Sequence, residues 1–240
     1  MTVLLLAGTR EAREIARLLV CEGIDAVGSL AGVTRAPEQL ALPMRVGGFG
    51  GAAGFVDYVK SSNIRAVLDA THPFAARISR RTAQLCRKLD IPYCQFLRPP
   101  WTLEPSWVSL TREEDLAAHV QKGETVFLAT GRQTLARFAN LSHANVICRQ
   151  IEPPEGPFPF PSGCFHIARP PFSLDDEKEL FQSLKVDWVV AKNAGGAMSR
   201  TKLDAASALN LNVALIDRPA QPEGAKAQTV EDCLSWLRKL

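Results

Sequence analysis

No stretch of the sequence approaches the ~20 consecutive apolar residues that a membrane-spanning helix requires, and neither charge sign dominates. The net charge is +3, with 28 Lys and Arg mixed among 25 Asp and Glu, too small and too even for a nucleic-acid surface. An anionic small molecule remains open as a partner. Cysteine is present but unpatterned: Cys21, Cys86, Cys94, Cys148, Cys164 and Cys233 form no CxxC pair and have no histidines at ligand spacing. That argues against a zinc site or a disulfide framework and fits a reducing cytoplasm, so no metal is expected. The apolar opening Met1-Thr2-Val3-Leu4-Leu5-Leu6 lacks a basic region and is broken early by Gly8-Thr9-Arg10-Glu11. It reads as a buried strand rather than a secretion signal. With 46% hydrophobic and 22% charged residues the composition is that of an ordinary globular protein, and a soluble, cytoplasmic monomer is expected.

What is present is an alternation of short apolar runs with helical patterns, the signature of a parallel sheet covered on both faces. Strands are predicted at Val3–Ala7, Ala26–Leu30, Met44–Val46, Ala66–Ala70 and Pro92–Leu97, with helices at Arg10–Glu22, Ala53–Lys60 and Ala75–Leu89. Prolines 99, 100 and 105 then interrupt the rhythm. Proline confines itself and the residue before it to extended backbone, so the domain boundary is placed there, giving domains 1–99 and 100–240. In the second, strands are predicted near Thr125–Ala129, Asn145–Arg149, Phe165–Ala168, Trp188–Ala191 and Val213–Ile216. Helices are predicted near Arg112–Gln121, Gln133–Phe138 and Leu174–Leu184. A terminal helix, Thr229–Leu240, would turn Cys233, Leu234, Leu237 and Leu240 inward. The proline-rich stretch from Pro153 to Gly163 reads first as a rigid surface connection, with a cover over a flat ligand as the alternative.

The chemistry gathers at strand ends. In the turn Leu6-Ala7-Gly8-Thr9-Arg10 a glycine lets the backbone approach a phosphate, and the positive end of the following helix attracts the anion. The turn lacks the full GxGxxG spacing, so a plain tight turn with Thr9 as helix cap stays open. After the second strand, where NAD enzymes place an acid for the ribose 2′-hydroxyl, the sequence has Thr34 and Arg35. A planar cation there suits the 2′-phosphate of NADPH. The fourth strand ends in Asp69-Ala70-Thr71-His72-Pro73, bringing Thr71 and His72 to the carboxyl edge where open α/β sheets bind ligands. Four glycines surround Phe49 in Gly47–Gly51. In the second domain Thr130-Gly131-Arg132 and Lys192-Asn193-Ala194-Gly195 each follow an apolar strand with small residues and a cation, suited to substrate carboxylates in a cleft between the domains.

These segments, taken in order, resemble the precorrin-6A reductase family of cobalamin biosynthesis, in both its cobalt-free and cobalt-precorrin-6A branches. The resemblance rests on LLLAGTREAR from Leu4, SLAGVTRAP from Ser29, RVGGFGG from Arg45, DATHPFA from Asp69, RPPW from Arg98, TGR from Thr130 and KNAGG from Lys192. It implies an α/β fold of two Rossmann-like domains with parallel sheets and an interdomain cleft. It further implies reduction of one ring double bond of precorrin-6A, with hydride to C19 and a proton to C18, giving precorrin-6B. NADPH would sit on the first domain at Gly8, Thr9, Arg10, Gly32, Thr34, Arg35 and Thr71. The polycarboxylated ring would meet Gly131, Arg132, Lys192 and Asn193, with His72 and Lys192 as candidate catalytic groups. Arg10 stands where family members often have a second threonine and Ala194 where a serine is common, so neither position offers a hydroxyl contact. The alternatives are an NADH-dependent cobalt-precorrin-6A reductase and a tetrapyrrole methyltransferase using S-adenosylmethionine. An arginine after strand two speaks against the last, because adenosylmethionine carries no phosphate.

Overall fold

The aliphatic runs form the centres of two parallel sheets. The computed structural model describes residues 1–32, 39–154 and 156–240. The first unit contains β1 (Thr2–Leu6), α1 (Arg10–Cys21), β2 (Ala26–Leu30), β3 (Met44–Val46), α2 (Ala52–Ser61), β4 (Ile64–Asp69), α3 (Ala76–Lys88) and β5 (Tyr93–Phe96). The second contains β6 (Val108–Leu110), β7 (Thr125–Leu128), β8 (Asn145–Gln150), β9 (Gly163–Ile167), α4 (Leu174–Ser183), β10 (Trp188–Lys192), α5 (Thr201–Ala208) and β11 (Asn212–Ile216). The chain then makes β12 (Ala225–Ala227) and α6 (Val230–Leu237). The sheet orders are β12-β5-β4-β1-β2-β3 and β6-β11-β10-β7-β8-β9, with every pairing parallel.

Alternation along β1 explains why its leucines are buried on both sides. Val3 and Leu5 pack with Ile15 and Leu19 of α1 and with Cys233, Leu234 and Leu237 of α6. Leu4 and Leu6 pack with Phe55 and Val59 of α2 and Cys86 of α3. In the second sheet Phe127, Val189 and Leu215 pack with Phe181 of α4 and with Leu203 and Ala206 of α5. Parallel strands need such helical covers because their crossovers lie on the faces.

The contacts divide the chain into Met1–Pro99 with Pro219–Leu240, and Pro100–Arg218. The second domain expected over 100–240 thus ends at Arg218, and the last segment returns to the first unit. There β12 adds an edge strand to β5, and α6 joins the core beside α1. Leu240, expected inward, is 52% exposed because α6 stops at Leu237. The predicted helices Arg112–Gln121 and Gln133–Phe138 are short 3₁₀ segments, Glu113–Ala118 and Arg132–Phe138. Such tight turns serve as connectors in pieces too short to settle as α-helices. Among the described residues no helix is long and apolar enough to cross a membrane.

Candidate active site

In the first unit the strand ends converge on the turn between β1 and α1. Gly8 has φ +147, a conformation L side chains rarely adopt, and an added Cβ would meet nothing within 4 Å. The turn therefore needs glycine for its backbone and leaves open space over it. Arg10 starts the twelve-residue α1 and is exposed. Backbone amides of a first helical turn lack intrahelical partners and favour an anion. An open glycine corner, the start of a helix and an exposed guanidinium together fit a pyrophosphate. Thr9, placed among the cofactor positions by the resemblance, takes the cap role that the turn left open. Its Oγ1 donates to Ala70 O at 2.9 Å and accepts from Ala12 N at 3.1 Å. With its one proton spent, the side chain caps α1 and ties the turn to the end of β4. Gly32 has φ +75, and a Cβ there would lie 3.3 Å from Val46 Cγ1, so it too holds a close turn. Thr34 and Arg35 lie outside the described residues.

The last residue of β4, Asp69, is fully buried and organises the adjacent edge. Its Oδ1 accepts from Thr71 N at 3.1 Å and Thr71 Oγ1 at 2.7 Å, and its Oδ2 accepts from Tyr93 OH at 2.7 Å. Burial, then the Asp69 charge, pushes the Tyr93 phenol far above its ordinary range, so it stays a donor. Since Thr71 gives its proton to Asp69, Ser79 Oγ at 3.2 Å donates to Thr71. Thr71 is thus held by three hydrogen bonds, two to Asp69 and one from Ser79. His72 is half-buried, and its Nδ1 accepts from Phe74 N at 3.2 Å. In the neutral ring this places the proton on Nε2. The motif-level reading missed Asp69 as an organiser, although a lone acid inside the run Val67-Leu68-Asp69-Ala70 is itself a signal. It also missed Arg45, whose guanidinium lies 3.9 Å from the Phe49 ring centre and donates to Ser29 Oγ, Gly47 O and Gly48 O. Arg45 thereby fastens the glycine-rich loop to the end of β2.

In the second unit the carboxyl ends of β10, β7 and β8 stand side by side. Lys192 Nζ donates to Thr130 O at 2.9 Å, and burial lowers the pKa of its amine, with Glu113 opposing and Arg137 adding to the shift. Gly131 has φ +78, which turns the chain so that Arg132 is exposed. Asn193, expected to meet the substrate, has its side chain bonded within the fold. Its Oδ1 accepts from Trp101 N at 2.8 Å and its Nδ2 donates to Trp101 O at 3.1 Å. The amide acts like a neighbouring strand for Trp101, whose indole donates to Gly196 O at 3.0 Å. The RPPW and KNAGG motifs thus belong to one knot.

Two parallel sheets with glycine turns and polar groups at their strand ends define a Rossmann-like α/β protein, whose ligands are expected at those ends. Residues 2–238 match the family model described as Precorrin-6x reductase CbiJ/CobK. A precorrin-6A reductase of Rhodobacter capsulatus is 44% identical over 98% of this chain and 95% of its own. One of Mycobacterium tuberculosis is 38% identical over 99% and 98%. A cobalt-precorrin-6A reductase of Synechocystis is 31% identical over 91% and 88%. A solved structure, CobK precorrin-6A reductase, superposes with a TM-score of 0.94 at 41% identity, over 100% of this chain and 96% of that one. The chain belongs to the precorrin-6x reductase family and is an oxidoreductase.

Proposed function

We propose that this protein reduces precorrin-6A to precorrin-6B with NADPH. The observation that carries the reading is the open Gly8 corner ahead of α1, found in a chain that belongs to this family. Gly8 and the first-turn amides with Arg10 hold the pyrophosphate, and Arg35 with Thr34 takes the 2′-phosphate. When bound there, a reduced nicotinamide would supply the hydride for C19 of the ring, with a proton added at C18, so that one double bond would be lost and the nucleotide oxidised. The protein's task is positioning, which can supply a large share of rate enhancement when reacting groups are held in contact. Thr71, pinned by Asp69, gives the first unit a fixed edge, and His72 keeps a proton on Nε2 beside it. Arg132 and Lys192 meet the acidic side chains of the macrocycle. The methyltransferase alternative is left without support by the family finding.

Thermal shifts with NADPH, NADH and adenosylmethionine test the cofactor, since a ligand at about 100 times its Kd adds roughly 2.7 kcal/mol of stability. NADPH is expected to stabilise most. Arg35→Ala should weaken NADPH by about tenfold or more, the scale of one charge-assisted contact, and NADH far less. Equal loss for both nucleotides removes the 2′-phosphate role.

A further inference from the structure

Gln150 ends β8, and the described residues give its side chain nothing to bind. It is 6% exposed, yet neither the amide oxygen nor the amide nitrogen has a hydrogen-bond partner. An unpaired buried amide group costs roughly 1–3 kcal/mol, and folded proteins seldom leave one so without water or a ligand to satisfy it. Gln150 lines a pocket of about 400 Å³ together with Arg132. Arg132 is exposed, and among the described residues no carboxylate pairs with it. Gln133 adds a second amide to the lining, and the other walls are mainly apolar, formed by Leu135, Phe165, Pro157 and Pro159.

The proline-rich wall is anchored. The Phe158 ring packs edge-on against Phe160 and Phe165, with centres 5.4 and 4.9 Å apart. Gly163 makes room for this, because a Cβ there would sit 2.1 Å from Val146 O and 2.6 Å from the Phe158 ring. The pocket thus has an acceptor-seeking cation, a neutral amide offering both a donor and an acceptor, and a flat apolar side. One cation beside neutral amides suits a single carboxylate better than a phosphate, which would draw more positive charge.

We propose that this pocket is a recognition subsite for one carboxylate-bearing pyrrolic ring of the substrate. Arg132 pairs with the carboxylate, Gln150 donates to its second oxygen and accepts from a ring N–H, and Phe165 with the prolines covers the ring face. This rests on the reading of the substrate as a polycarboxylated tetrapyrrole.

The test is steady-state kinetics of wild type, Gln150→Leu and Arg132→Gln with precorrin-6A and NADPH, beside urea unfolding of each free protein. Each variant should raise KM for precorrin-6A about tenfold or more, the scale of a lost charge-assisted contact, while the Kd for NADPH stays unchanged. Gln150→Leu should also fold at least as stably as wild type, because it removes an unpaired buried amide; a structural amide would lose stability instead. Normal wild-type turnover with unchanged KM in both variants overturns the subsite alone. A clear loss of stability in Gln150→Leu overturns it as well. Absence of wild-type turnover overturns the proposed function, and the subsite with it.

Discussion

At the scale of single residues, the candidate site is held by groups whose hydrogen-bonding capacity is nearly used up. Asp69 accepts three hydrogen bonds from Thr71 and Tyr93 in a fully buried position. Asp69→Asn would turn an amide donor towards groups that already donate. A loss of about 1–3 kcal/mol in urea unfolding is expected; a variant as stable as wild type contradicts the network. Lys202 gives a pH signature. Burial first, then Arg149, pulls its pKa from 10.5 to about 8, against the opposing charges of Glu177 and Asp204. Because the folded pKa lies below the unfolded one, the native state binds fewer protons between about pH 8 and 10.5, and its stability rises with pH through that window. Lys202→Met lacks this gain. The stability of wild type relative to the variant should therefore increase from pH 7.5 to pH 10, and a flat difference across that range contradicts the assignment.

At the scale of elements, helix α2 can form beside the glycine-rich loop only because residue 54 has no side chain. A Cβ at Gly54 would lie 1.8 Å from Phe49 O. Phe49 in turn packs edge-on against Phe55 and under Arg45. Gly54→Ala would be expected to stabilise an isolated helix by about 1 kcal/mol, yet here the clash should cost about 1–3 kcal/mol. A denaturation midpoint that falls supports the close approach, and one that rises contradicts it. Elements with strong periodicity were legible from sequence: β2 carries the bounds the pattern implies, and α1 buries Ala12, Ile15, Ala16 and Leu19 as its spacing requires. The elements that escaped notice carry weak patterns. Strands β6 and β12 have three residues each, too few to show alternation, and α5 is built from small residues without a clear apolar stripe.

At the scale of the molecule, the order of motifs along the chain pointed to the family, but long-range partners were not readable. Nothing between Pro219 and Leu240 states that this segment pairs with β5 and covers α1, because an edge strand's partner is chosen by tertiary packing. For the same reason the tie of Asn193 to Trp101 was hidden: a polar side chain after a strand does not disclose which residue, far away in sequence, will bond to it. The Gly8 corner was legible because it depends only on its neighbours. The central claim, that the chain uses a nicotinamide nucleotide to reduce precorrin-6A, is tested most directly by mixing the protein with NADPH and precorrin-6A and following both absorption spectra. The account predicts one NADPH oxidised for each macrocycle converted. A macrocycle left unchanged, with NADPH intact, would contradict it.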